Sequence, residues 1–99
     1  MAMKTIISTV TGVLTEVRLG LEGRGINLAS NGDEVFRSKD TIDVEGKLGI
    51  ALFVRGIRGT AWSIKLACAD APDKPFFEDN GVTNEKGMAV MLNAVDCPC

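Results

Sequence analysis

The sequence predicts an all-β fold: one antiparallel β-sandwich domain of about seven to nine short strands over residues 1–99, with a small β-barrel as the alternative. Three observations predict it. Apolar residues recur with a two-residue period in several segments, as they do on half-buried strands. Turn-forming residues interrupt the pattern at intervals of roughly ten residues. No stretch of about ten residues carries a convincing helical amphipathic pattern.

The elements follow in order. Thr5 to Val10 is β-branched at nearly every position, and Thr11-Gly12 either turns the chain or marks a bulge within one long strand. From 13 to 21 the odd positions read Val13, Thr15, Val17, Leu19 and Leu21, against Glu16 and Arg18 at even positions. The segment Gly20 to Gly25 places three glycines within six residues and predicts a bend or loop. Ile26 to Ala29 resumes a short strand, and Asn31-Gly32 predicts a hairpin turn because both residues tolerate positive φ.

Glu34 to Arg37 and Thr41 to Glu45 read as two further short strands, followed by a turn at Glu45-Gly46-Lys47. Leu48 to Val54 is nearly all apolar, which predicts a central strand covered on both faces and favours the sandwich over the barrel. After the Arg55 to Gly59 loop, Trp62, Ile64, Leu66 and Cys68 alternate with Ala61, Ser63, Lys65 and Ala67. That segment is expected to pair as a hairpin with Leu48 to Val54, and Trp62 is read as core by its shared face. Asp70 to Pro75 is a loop by its prolines, and Glu78 to Gly81 reads as another turn. Met88 to Val95 is expected as a strand, with Met88, Val90, Leu92 and Ala94 on one face; a helix is the alternative, disfavoured by Gly87 and two valines.

Composition narrows the function classes. Eleven Lys plus Arg against thirteen Asp plus Glu give a net charge of −2, which supplies no general field for a phosphate backbone, so no nucleic acid partner is expected. The chain has no histidine, which removes the usual general base and the usual nitrogen ligand for zinc or copper. Met1 to Ile7 lacks the continuous apolar stretch of a secretory signal, and no apolar run reaches the length of a membrane helix. The expectation is a soluble chain with no membrane partner, the cytoplasm being favoured over export.

Three constellations are candidates for chemistry. Arg55 and Arg58, on a glycine-flanked loop, offer planar donors for a carboxylate, sulfate or phosphate. Asp70, Asp73, Glu78 and Asp79 supply oxygens suited to calcium, though without EF-hand spacing. Cys97-Pro98-Cys99, with Cys68, allows a disulfide from Cys68 to either terminal cysteine, thiol chemistry, or pairing between molecules; the plainest reading is a buried, unbonded Cys68 and a frayed terminal pair.

The expected function is a non-catalytic module, not an enzyme, that binds protein or self-assembles through a surface or an edge strand, as a homo-oligomer or with a protein partner. The alternative is a small lectin-like domain holding a glycan or anion, with calcium as its one conceivable cofactor.

Overall fold

A computed structural model describes residues 3–30 and 34–99. Among the described residues there is no helix, and the strands are β1 (Met3–Thr11), β2 (Leu14–Leu21), β3 (Arg24–Ile26), β4 (Ala29–Ser30), β5 (Val35–Asp43), β6 (Lys47–Gly56), β7 (Ala61–Cys68), β8 (Phe77–Val82) and β9 (Met88–Asp96). They form two antiparallel sheets packed face to face as a sandwich: a five-stranded sheet in the order β4-β5-β1-β7-β8 and a four-stranded sheet in the order β3-β2-β6-β9. Neither sheet closes into a barrel. The Asn31-Gly32 turn lies outside the described residues.

The two-residue period sets the core. Ile6 and Val10 of β1, and Trp62, Ile64 and Leu66 of β7, face inward from the five-stranded sheet. Leu19 and Leu21 of β2, Leu48, Ile50, Leu52 and Val54 of β6, and Met91 of β9 meet them from the other side. Burying aliphatic side chains of this size is worth about 1.5–3 kcal/mol each, which is what holds the sheets together.

Several expectations are corrected. Leu48 to Val54 and Ala61 to Cys68 do not pair as a hairpin: β6 lies between β2 and β9, whereas β7 lies between β1 and β8 in the opposite sheet. The connection after Gly56 crosses the sandwich, so the buried apolar faces of β6 and β7 oppose each other across the core. Residues 35–43 make one strand, where two short ones were expected, since β5 pairs along its whole length with β1 from Met3↔Asp43 to Thr11↔Val35. Thr11-Gly12 is a crossing between the sheets, with no β1–β2 pairing. Glu78 to Gly81 is strand, not turn: β8 pairs with β7 from Ala61↔Val82 to Leu66↔Phe77. Its Gly81 is required by packing, because a Cβ there would lie 2.8 Å from Trp62 Cζ2.

The glycine-rich bend after β2 is a two-residue hairpin turn. Glu22 and Gly23 both have positive φ, 53° and 74°, between the paired Leu21 and Arg24. That is the backbone of a type I′ turn, whose twist matches the strands it joins.

Cys68 is bonded to Cys99, with a Cα–Cα distance of 5.4 Å, while Cys97 is a half-buried free thiol. The reading of an unbonded Cys68 and a frayed terminus is thereby overturned. The bond ties the segment after β9 to the end of β7, stapling one sheet to the other.

Candidate functional site

The strands position two outward surfaces that differ in chemistry. The first is the outer face of the four-stranded sheet. On β6 the inward set is Leu48, Ile50, Leu52 and Val54, so alternation turns Gly49, Ala51 and Phe53 outward. Their register partners on β9 are Ala94, Leu92 and Val90, and Gly20 of β2 sits opposite Ala51. Val90 is 66% exposed and Leu92 is 76% exposed. The Met88, Val90, Leu92 and Ala94 set thus points away from the core, and Met91 is the buried residue of this strand. The expectation that Leu48 to Val54 is covered on both faces is corrected in the same way: nothing in the described residues packs over Ala51, which is exposed.

This apolar face runs to an open strand edge. Glu22 N–H donates to Gly49 O at the end of the β2–β6 ladder, and Gly56 N–H donates to Gly87 O at the end of the β6–β9 ladder. Hydrogen-bonded residues alternate in an antiparallel pair, so Ala89, Met91, Asn93 and Val95 bond to β6. Val90, Leu92, Ala94 and Met88 then aim their backbone N–H and C=O groups at the open edge. Asn84 satisfies both groups of Met88, and Asn93 Oδ1 accepts the Ala94 N–H at 2.8 Å. For Val90 and Leu92 no such partner stands among the described residues.

The other long edge is guarded. Thr83 N–H donates to Thr60 O, which by the same alternation points the backbone of Glu78, Asn80 and Val82 outward from β8. There the Asp79 carboxylate accepts the Asn80 N–H at 2.8 Å, and charged side chains on an edge discourage pairing. On the far side of the sandwich β3 and β4, of three and two residues, cover only Leu19 to Leu21 of β2 and Phe36 and Arg37 of β5; the uncovered stretches carry Glu16 and Arg18, and Lys39, Asp40 and Asp43, charges that discourage pairing.

The second surface is a groove of about 990 Å³ on the outer face of the five-stranded sheet. Its floor is Ile7, Thr9 and Thr11 of β1, flanked by Arg37 and Lys39 of β5 and by Ser63, Lys65 and Ala67 of β7. Pro72, Asp73 and Pro75 of the β7–β8 connection, with Glu78, form the far wall.

The residues singled out by sequence fall in separate places. Arg55 ends the exposed face of β6, with Nη1 4.0 Å from Glu16 Oε1; that carboxylate also accepts a hydrogen bond from Arg18. Arg58 is exposed on the β6–β7 connection, and neither arginine lines the groove. Strand pairing sends Glu78 and Asp79 to opposite faces of β8. Glu78 approaches Lys65 at 3.8 Å, and Asp79 is engaged by its own strand. Asp70 and Asp73 stay on the connection, and among the described residues no three Cys, Asp or Glu side chains gather as a metal-binding group. Sequence reasoning missed the groove residues Thr9, Arg37 and Lys39, although the β-branched run of β1 was the available signal. Compared with family models, curated proteins and solved structures, the chain matches none.

Proposed function

We propose that this protein is a non-catalytic β-sandwich module that self-assembles, a second copy pairing its β9 antiparallel with β9 across a two-fold axis. The observation that carries the reading is continuity: the apolar outer face of Phe53, Ala51, Val90 and Leu92 ends in an edge strand whose Val90 and Leu92 backbone groups are open. A long apolar edge left uncovered is a template for pairing, and in the joined sheet the exposed Val90 and Leu92 side chains gain cross-strand neighbours from the second copy. Charge supports a second copy. The only charged residue of β9 is Asp96 at its end, so an antiparallel seam separates the two Asp96 carboxylates, and the symmetry closes a pair rather than a fibre.

Sedimentation velocity across a concentration series tests it. The wild type should pass from monomer to dimer, and Leu92→Lys should shift that transition about tenfold or more to higher concentration, because it places a charge in the seam. A wild type that remains monomeric to high micromolar concentration overturns the proposal.

A further inference from the structure

We propose that the groove on the five-stranded sheet binds a short acidic oligosaccharide, one bearing a single carboxylate on otherwise neutral sugar units. The site is on the sheet opposite β9 and does not depend on self-assembly. Its charges are sorted across the floor. Arg37 and Lys39, two residues apart on β5, stand on one side with no carboxylate within 4.0 Å among the described residues. On the other side Lys65 Nζ lies 3.8 Å from Glu78 Oε1, and Asp73 lines the groove from the β7–β8 connection. The register sets Thr9 between Arg37 and Lys65, and the neighbouring Thr11 and Ser63 hydroxyls hydrogen-bond to each other.

This arrangement selects its ligand by both signs of charge. A carboxylate suits the Arg37 guanidinium, whose planar fork donates two parallel N–H bonds, with Lys39 as a second cation about 7 Å along the strand. A polyanion or an acidic peptide would bring further negative charge against Asp73 and Glu78. Neutral sugar hydroxyls instead donate to those carboxylates and exchange hydrogen bonds with Thr9 and Ser63. Ile7, Ala67, Pro72 and Pro75 supply apolar surface for the sugar's C–H faces. The volume falls in the range of small-molecule sites and accommodates two or three sugar units. No aromatic ring lines the groove, which disfavours a nucleobase, whose binding relies on stacking.

The test is titration of the isotope-labelled protein with sialyllactose, a trisaccharide with one carboxylate, followed by amide chemical shifts. Lactose and acetate serve as parallel titrants. Saturable shifts confined to Thr9, Arg37, Lys39, Lys65 and the 70–76 connection are expected, with a Kd of about 1 mM or tighter. Lactose should bind about tenfold more weakly, and the double variant Arg37→Ala/Lys39→Ala should lose about tenfold in affinity while its spectrum stays folded. Arg55→Ala/Arg58→Ala should bind as the wild type does. Absence of saturable shifts in the wild type overturns the proposal, as does an equal response to acetate, equal affinity for lactose, or binding undiminished by the groove variant.

Discussion

Two side chains on the inner face of the five-stranded sheet, Trp62 and Ser8, carry opposite packing signatures. Trp62 lies over Gly81, and substituting alanine there sets a methyl group against the indole ring at 2.8 Å. Gly81→Ala should therefore destabilise the fold by about 1–3 kcal/mol, as overpacking does, measured by urea unfolding. Ser8 has the opposite signature. It is 1% exposed, set between Ser38 and Leu66 of the adjoining strands, and its hydroxyl has no hydrogen-bond partner among the described residues. Removing an unsatisfied buried hydroxyl relieves its desolvation, so Ser8→Ala should be neutral or stabilising by up to about 1 kcal/mol. Trp62 was legible as core from the alternation of its strand. Gly81 was not, because Glu78-Asp79-Asn80-Gly81 has turn composition, and only the neighbouring indole explains a glycine inside an edge strand.

At the scale of elements, the disulfide and the sheet assignments matter most. The Cys68–Cys99 bond closes a loop of 31 residues. Loop-closure entropy of that size is worth about 3–4 kcal/mol, so Cys99→Ser should lower unfolding free energy by roughly that amount, and reductant should do the same to the wild type. Cys97→Ser should cost less than about 1 kcal/mol, since it removes no bond. The strands themselves were legible from period-two burial: β6, β7 and β9 fall where the alternation puts them, and so does β2 from Val17 onward, whereas a bulge between Leu14 and Glu16 leaves Val13 and Thr15 exposed and turns Leu14 to the core. Their partners were not. A buried face specifies which side of a strand meets the core, but not which strand lies beside it, so β6 and β7 read as a hairpin although they belong to opposite sheets. The disulfide was open for a related reason, since three cysteines allow several pairings until the fold brings Cys99 beside Cys68.

For the whole molecule, the apolar set of β9 carries the functional argument. Read as sequence, Met88, Val90, Leu92 and Ala94 share one face; in the fold Met91 and Val95 take the inner side and Val90 and Leu92 face out. A strand apolar on both faces holds no internal signal for which face is covered by its own chain and which is left for another. The groove was hidden similarly, because Thr9, Arg37 and Lys65 come from three strands that only the sheet order makes neighbours. The most direct measurement of self-pairing is amide hydrogen exchange at two protein concentrations, read at single residues of β9. Met91 and Asn93, bonded to β6, should be slow at both. Val90 and Leu92 should exchange fast in dilute solution and become protected at high concentration, when their N–H groups bond to the second copy. Fast exchange at Val90 and Leu92 at every concentration would contradict the account.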